Sequence, residues 1–296
     1  MSVFIGSGVA VCTPFYDDGS FNPNEYEKLI RFQLDNATDA IITCGTTGEI
    51  STLDVDEHVE VARTAVEAVK ADTRKIPVIA GAGGNDTRHI IALAKRLQQA
   101  GVDGIMLVTP YYNKTSQRGL IEHFTMIAKA IDLPIVLYNV PARTSLNMLP
   151  KTVYELSKIE NIIAVKEASG NIVQIAEIMD HCGDAIDVYA GNDDYVVPIL
   201  SLGGKGVIST IANIAPRQMH DMVYKFLDGD IAGSAKMQLD MLKLILALFK
   251  DINPMPVKTA LNMMGFKAGP CRRPLTTIDD SLKNELAGLM KEQGLI

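Results

Sequence analysis

The chain has 296 residues, of which 47% are hydrophobic and 21% are charged, and its formal net charge is −7. A chain of this length can bury a large core without disulfides or metals, so we expect one or two domains. The acidic balance and the absence of a Lys/Arg cluster argue against nucleic acid as a partner. Because no long apolar run and no signal peptide is visible, we predict a cytoplasmic protein that does not cross a membrane.

Short apolar runs rich in Val and Ile alternate with amphipathic segments of helical period along most of the chain. Such continuous runs suit strands that are buried on both faces, as in a parallel sheet. The predicted strands cover residues 8–13, 40–44, 77–80, 104–109, 134–139, 162–166, 187–190 and 206–210. Eight strands, each followed by a helix pattern, favour an α/β fold of the (β/α)₈ TIM barrel type.

The clearest helix pattern covers residues 87–100, with Gly101 as its stop and Asn85 or Asp86 as its N-terminal cap. A doubly wound open sheet is the alternative fold. It would show a phosphate-binding fingerprint after a strand, and the glycine-rich segment at 81–86 lacks the full spacing. The barrel therefore remains the leading prediction.

The alternation stops after about residue 225. Three helix patterns follow, at 231–250, 257–264 and 281–292, and no strand pattern lies among them. We therefore predict a catalytic barrel domain at 1–229 and an all-helical C-terminal domain at 230–296. Assembly of subunits is the obvious hypothesis for the role of this helical region.

Lys166 is the predicted nucleophile. Active sites of TIM barrels lie at the C-terminal ends of the strands, and Lys166 ends the apolar run 162–166. Burial there would penalise the charged amine and lower its pKa, which suits formation of a Schiff base. The alternative is a lysine beyond the strand end, in water. Other lysines fall in helix patterns, and Lys258 follows a proline-rich turn outside the barrel, so they are weaker candidates.

Tyr138 lies one residue before the end of the predicted strand 134–139, which precedes the strand of Lys166. Since side chains alternate along a strand, both residues would point inward on neighbouring strands, where the phenol could transfer protons. A packing role at the barrel mouth is the alternative for Tyr138. The five histidines and four cysteines show no metal-ligand spacing, so we expect no metal site.

Two further features could bind carboxylates. Thr46 and Thr47 lie in a turn flanked by glycines, which can offer backbone N–H groups and hydroxyls. Arg143 follows the fifth strand and could grip a second carboxylate with its guanidinium, although a surface arginine is the alternative.

An ordered set of motifs extends these observations across nearly the whole chain. The motifs are GTTGE at 45–49, TPYYN at 109–113, YNVPART at 138–144, VKEASGN at 165–171, GNDD at 191–194, GGKGVIS at 203–209 and NPMPVK at 253–258. This set resembles the pyruvate-dependent aldolase superfamily of N-acetylneuraminate lyase and dihydrodipicolinate synthase. Within that superfamily the chain is most similar to the dihydrodipicolinate synthase branch.

The resemblance implies a Schiff-base lyase of lysine biosynthesis, through diaminopimelate, without organic cofactor or catalytic metal. It would condense pyruvate with L-aspartate 4-semialdehyde to give 4-hydroxy-tetrahydrodipicolinate, as a homotetramer built from two tight dimers. Pyruvate would form an imine with Lys166. The resemblance implies that Thr46, Tyr138 and Tyr112 form a proton relay, with Tyr112 from a neighbouring subunit. It implies that Thr47 and Arg143 bind the substrate carboxylates. The backbones of Gly191 and Ile208 would form the wall around pyruvate.

The resemblance also implies an allosteric lysine site at His58, Asn85, His89 and Tyr111. His89 stands where lysine-sensitive relatives carry a glutamate that meets the ammonium of lysine. Loss of that carboxylate removes a charge-assisted partner, so we predict weak or absent feedback inhibition.

Three alternatives remain open. A sister lyase, such as N-acetylneuraminate lyase or a 2-keto-3-deoxy sugar acid aldolase, would share the imine chemistry, although Arg143 and Thr47 favour the dihydrodipicolinate branch. A catalytically inactive sensor would lack the lysine or the tyrosine, and both are present. A pyridoxal-phosphate barrel enzyme would need a phosphate cradle, and the segment at 203–206 is a poor one.

Overall fold

The structure is a computed structural model that describes residues 2–70 and 72–296, and its centre is a closed barrel of eight parallel strands. Each strand pairs with the next along the chain, and the eighth pairs with the first. The strands are β1 (Gly6–Ala10), β2 (Ala40–Thr43), β3 (Val78–Gly81), β4 (Gly104–Val108), β5 (Ile135–Asn139), β6 (Ile162–Glu167), β7 (Asp187–Ala190) and β8 (Gly206–Ser209).

Twelve α-helices occur in the part of the chain that the structure describes. They are α1 (Pro23–Asp35), α2 (Val55–Lys70), α3 (Thr87–Ala100), α4 (Gln117–Ala128), α5 (Pro141–Thr144), α6 (Pro150–Leu156), α7 (Ile172–Cys182), α8 (Val196–Ser201), α9 (Pro216–Leu227), α10 (Ile231–Ala247), α11 (Met255–Met263) and α12 (Asp280–Glu292). Helices connect successive strands, so the TIM-barrel prediction is confirmed and the doubly wound alternative is wrong. None of the described helices is long and apolar enough to span a membrane.

Local sequence explains the ends of α3, whose predicted bounds are confirmed. The Asp86 carboxylate accepts a hydrogen bond from the backbone N–H of Arg88 and caps the helix. Gly101 ends the helix with a φ of 88°, a left-handed conformation that favours glycine. Asp86 is therefore the cap, and the neighbouring Asn85 instead donates to the carbonyl of Tyr111 at 3.4 Å.

The first strand differs from its prediction. It covers Gly6–Ala10 rather than 8–13, because the chain leaves the sheet after Ala10. The backbone N–H of Val11 still donates to Ile42 on β2, but that of Cys12 donates to the Asn213 side chain. Val11 and Cys12 are buried although they lie beyond the end of the strand. The apolar run in the sequence is therefore longer than the strand itself.

Side chains fill the interior of the barrel. Phe4 covers the N-terminal end, where its ring stacks on Tyr189 with centroids 4.4 Å apart. Above it, Ile42, Met106 and Ile208 belong to the same buried cluster as Tyr138. This packing closes the lower barrel, so the C-terminal ends of the strands form the accessible face.

Three helices make up most of the chain after residue 230. α10 packs on α9 and α12, and α11 also contacts α12. Their bounds agree with the three predicted helices to within a few residues. The division of the chain into two domains at residues 229 and 230 stays a prediction.

Candidate active site

A cavity of about 570 Å³ opens at the C-terminal end of the barrel. It brings together side chains from the ends of several strands, and the loop after α10 closes one side. Six of the residues predicted from the sequence line it: Thr46, Thr47, Tyr138, Arg143, Lys166 and Gly191.

Lys166 and Tyr138 lie side by side, as the strand alternation predicted. The two residues are partners in the register of β5 and β6, and the Lys166 amine lies 4.5 Å from the centre of the Tyr138 ring. Lys166 is only 5% exposed. Burial lowers its pKa to about 8, although the charge of Asp193 opposes this shift. The neutral form of this amine is therefore more populated near neutral pH than that of an ordinary lysine.

The environment of Tyr138 is also set by burial. Desolvation raises the pKa of its phenol, whereas the Arg143 charge and a hydrogen bond with the Thr46 side chain oppose that rise. The phenol consequently stays protonated near neutral pH. A protonated phenol next to a hydroxyl can donate one proton while it accepts another.

The threonine turn follows β2 and is held by one bond from the segment after β1 and one bond within the turn. The Thr13 hydroxyl donates to the Gly48 carbonyl at 2.8 Å, and the Glu49 N–H donates to the Thr46 carbonyl at 3.1 Å. A Cβ atom at Gly48 would lie 3.2 Å from the backbone of both Cys44 and Val11, so a larger residue would crowd the turn. The Thr47 side chain is buried and faces the cavity.

Residues far along the chain complete the turn, and sequence reasoning missed them. The Asn253 amide donates to the Thr47 hydroxyl at 2.9 Å. Lys258 of α11 donates to the Glu49 carboxylate at 2.8 Å and to the Pro270 carbonyl at 2.8 Å. Lys258 is 1% exposed and belongs to a buried ion pair, so the expectation of a lysine simply outside the barrel overlooked this structural role.

Arg143 lies on the short helix α5 and is exposed at the cavity. Its backbone N–H donates to the Val140 carbonyl at 2.9 Å, and its guanidinium donates to the Asn253 carbonyl at 3.3 Å. The remaining guanidinium N–H groups can bind an anion in the cavity.

Gly191 and Ile208 occupy different positions relative to the cavity. The Gly191 N–H donates to the Glu167 carbonyl at 2.8 Å, and a Cβ at this residue would lie 2.7 Å from the Ala168 Cβ. Only glycine therefore lets β7 approach the end of β6 so closely. Ile208 is fully buried in the barrel interior, and its side chain does not line the cavity.

Two buried carboxylates, one at the end of β6 and one just after β7, were also missed. Asp193 accepts from the backbone N–H groups of Thr210 and Ile211 at 3.0 Å each, and burial raises its pKa. Glu167 accepts from the Ser169 N–H at 2.7 Å, and burial raises its pKa as well. Both lie within motifs of the sequence, but only the tertiary structure shows that they are buried.

Tyr112 is 93% exposed and does not line the cavity of its own chain. It lies in the loop after β4, and its φ of 67° is uncommon for a bulky residue. The contribution of Tyr112 to a neighbouring subunit stays a prediction.

A second cavity, of about 490 Å³, adjoins the first. The four residues of the predicted allosteric site line it, namely His58, Asn85, His89 and Tyr111, and it shares Thr46 and Arg143 with the first cavity. Burial lowers the pKa of His58 to about 4, and its Nε2 is 2.7 Å from the Gly81 carbonyl. Asp86 is the one carboxylate among the described residues that line this cavity.

The residues that the structure describes contain no group of three or more His, Cys, Asp or Glu side chains that could hold a metal.

Comparison with known proteins identifies the family. The profile of the Dihydrodipicolinate synthetase family matches residues 3–293. The chain belongs to this family. It is 54% identical over 297 residues to 4-hydroxy-tetrahydrodipicolinate synthase of Lachnoclostridium phytofermentans, with 100% of each chain covered. The resemblance seen in the sequence is confirmed, and this naming favours the dihydrodipicolinate synthase branch over the sister lyases.

Solved structures of the dihydrodipicolinate synthetase family have the same fold. One is DHDPS from Cyanidioschyzon merolae with lysine bound, at 39% identity and a TM-score of 0.97, with 100% of each chain covered. Another is a monomeric dihydrodipicolinate synthase variant, at 40% identity and a TM-score of 0.96, with 99% of this chain and 98% of that chain covered. Family membership alone therefore does not fix the number of subunits.

Proposed function

We propose that this chain condenses pyruvate with L-aspartate 4-semialdehyde to give 4-hydroxy-tetrahydrodipicolinate. The observation that supports this most directly is the buried Lys166 amine, with its pKa lowered to about 8, beside the Tyr138 phenol. An amine of this kind can attack a ketone near neutral pH. The names of the chain's relatives in the dihydrodipicolinate synthetase family support the choice of substrates.

The proposed reaction begins when the neutral Lys166 amine attacks C2 of pyruvate, whose carbonyl oxygen leaves as water to give an iminium. Loss of a proton from C3 forms an enamine, and C3 then attacks the aldehyde carbon of the second substrate. The new C–C bond leaves a hydroxyl where the aldehyde oxygen was. The amino group of the second substrate can then displace Lys166, which closes the ring and frees the enzyme.

The proton transfers are assigned to Tyr138, Thr46 and Tyr112. Tyr138 and Thr46 meet at the cavity beside Lys166. Tyr112 would have to come from a neighbouring subunit, because it lies away from the cavity of its own chain. We therefore propose an oligomer, with a tetramer of two dimers as the expected form.

The two carboxylates are assigned to different residues of the cavity. Thr47, with Thr46, would bind the carboxylate of pyruvate, and Arg143 would bind that of L-aspartate 4-semialdehyde. The backbone at Gly191, which lines the cavity, would form part of the wall around pyruvate, whereas Ile208 is not among the cavity-lining residues.

We also propose that the second cavity is a regulatory site. It shares Thr46 and Arg143 with the first cavity, so a ligand there can influence both. His89 replaces the carboxylate expected for a lysine site, and Glu49 is already paired with Lys258. Lysine should therefore bind weakly, with Asp86 as its remaining anionic partner.

Covalent trapping tests the proposed function. The protein is incubated with pyruvate, reduced with borohydride and digested, and the modified lysine is mapped by mass spectrometry. We expect one reduced pyruvate adduct on Lys166 in the wild type and none in Lys166→Ala. An adduct on another lysine, or no adduct in the wild type, would contradict the mechanism.

A second measurement tests the substrate. Initial rates are compared with L-aspartate 4-semialdehyde and, in the reverse direction, with N-acetylneuraminate. Turnover of the semialdehyde alone is expected. Cleavage of N-acetylneuraminate without use of the semialdehyde would assign the chain to the sister lyase.

A further inference from the structure

One residue of the C-terminal helical region contacts both groups that are assigned to the two substrate carboxylates. Asn253 lies between α10 and α11, is 6% exposed and lines the cavity. Its side-chain Nδ2 donates to the Thr47 hydroxyl at 2.9 Å, whereas its backbone carbonyl accepts from the Arg143 guanidinium at 3.3 Å. The two contacts therefore use different atoms of Asn253 and can be separated by mutation.

The side-chain contact determines where the Thr47 hydroxyl can donate. A hydroxyl has one proton to donate and two lone pairs that accept. Because Asn253 already donates to the Thr47 oxygen, that oxygen accepts from Asn253 and keeps its own proton for another partner. The Thr47 side chain lines the cavity, where a carboxylate would provide that partner.

The amide of Asn253 is not explained by packing alone. Its Oδ1 is buried and has no hydrogen-bond partner among the described residues. A buried polar atom without a partner is costly, and an apolar side chain of similar size would avoid that cost. The cost is consistent with a residue that serves the site.

The same region of the chain holds the other end of the threonine turn. Lys258 of α11 pairs with Glu49, and the backbone N–H of Arg272 donates to the second Glu49 oxygen at 2.8 Å. Glu49 has a φ of 56°, and both of its carboxylate oxygens are thus bonded to the C-terminal region. Asn253 and Lys258 therefore both tie the threonine turn to the C-terminal helical region.

We propose that Asn253 is a positioning residue, which orients the Thr47 hydroxyl so that it donates to the carboxylate of pyruvate. This inference rests on the proposed function. It predicts that truncation of the Asn253 side chain weakens pyruvate binding, while the semialdehyde site keeps its contact with the Asn253 backbone. It also gives the C-terminal helical region a direct role in the site.

The main test measures the pyruvate concentration that gives half-maximal trapping by borohydride. The net contribution of one neutral hydrogen bond changes a binding constant by about 2- to 10-fold. Asn253→Ala should therefore raise the half-saturating pyruvate concentration by about that factor. The KM for L-aspartate 4-semialdehyde should change by less than about 2-fold. Asn262→Ala is the matched control, because Asn262 is an exposed asparagine of α11 whose removal should change neither value.

Two more variants separate positioning from a general structural effect. Asn253→Asp keeps the shape of the side chain, but a carboxylate can only accept hydrogen bonds. It would therefore accept a hydrogen bond from the Thr47 hydroxyl, which could then not donate to pyruvate, and it would place a negative charge near pyruvate. It should weaken trapping more than Asn253→Ala does, and it replaces that variant if Asn253→Ala fails to fold. In a Thr47→Val background, Asn253→Ala should add no further weakening, because the hydroxyl that it orients is already gone.

The outcomes are distinct. A folded Asn253→Ala or Asn253→Asp protein with wild-type half-saturation would overturn the inference, as would an equal effect of Asn253→Ala with and without the Thr47 hydroxyl. If the wild type itself forms no adduct, the proposed function fails and the inference fails with it. If the wild type is trapped normally and Asn253→Ala has the same half-saturating pyruvate concentration, the positioning role alone is overturned and the proposed function stands.

Discussion

Removal of the Lys258 amine provides a sharp test of how the C-terminal helices support the site. In Lys258→Met the stem of the side chain keeps much of its volume, but the Glu49 carboxylate loses its cationic partner at 2.8 Å. The side chains of the pair are only 2% and 1% exposed, so water cannot replace the lost contact. The Pro270 carbonyl also loses its donor.

The expected cost is large for a single substitution. Removal of one partner from a buried ion pair costs about 3–5 kcal/mol, because the remaining charge stays buried without compensation. The bond from the Arg272 N–H to Glu49 survives, so the lower half of this range is the better expectation. We therefore expect Lys258→Met to lose about 3–4 kcal/mol of the free energy of unfolding.

Urea unfolding at fixed protein concentration measures this loss. Lys250→Met is the matched control, because Lys250 pairs with Glu285 at the surface, where the side chains are 53% and 40% exposed. An exposed pair contributes at most about 1 kcal/mol. The double variant Glu49→Gln/Lys258→Met removes the unpaired charge while it retains an acceptor for Arg272, so it should recover most of the lost stability.

Two results would refute this reasoning. One is a loss in Lys258→Met that does not exceed the loss in Lys250→Met. The other is a double variant as unstable as Lys258→Met alone, which would show that the unpaired Glu49 charge is not the source of the destabilisation.

Four further predictions concern catalysis and regulation. The rate of pyruvate trapping should rise with pH and level off above about pH 8, because the proposed mechanism requires a neutral Lys166 amine; a flat profile would contradict the lowered pKa. Tyr138→Phe should lower kcat by about 10²- to 10⁴-fold, and near wild-type turnover would remove the phenol from the relay. Arg143→Ala should raise the KM for L-aspartate 4-semialdehyde by about 10- to 150-fold, whereas an equal loss with a neutral aldehyde would point to a structural role. Lysine should inhibit initial rates weakly or not at all because His89 offers it no carboxylate, and strong inhibition at sub-millimolar lysine would show that another anion serves the site.

The sequence predicted the barrel because its signals are local. Continuous Val- and Ile-rich runs indicate strands buried on both faces, and helix patterns between them require parallel pairing. The same periodicity placed Tyr138 and Lys166 on one face of adjacent strands, and the structure pairs them directly. The end of the first strand was wrong because Cys12 bonds to Asn213, 201 positions along the chain, and no local pattern reports such a partner.

The sequence by itself determined the fold class and placed Lys166, Tyr138 and the threonine turn at the C-terminal ends of the strands, because period-two alternation and parallel strand order place strand-end residues without reference to distant contacts. Only the tertiary structure decided that the C-terminal helices hold that turn. Asn253 is 206 positions from Thr47, and Lys258 is 209 positions from Glu49. The sequence placed Lys258 after a proline-rich turn outside the barrel, and no local pattern pointed to a partner that buries it. That partner becomes visible only when the chain folds back on the barrel, and the buried charge is then stabilised by Glu49.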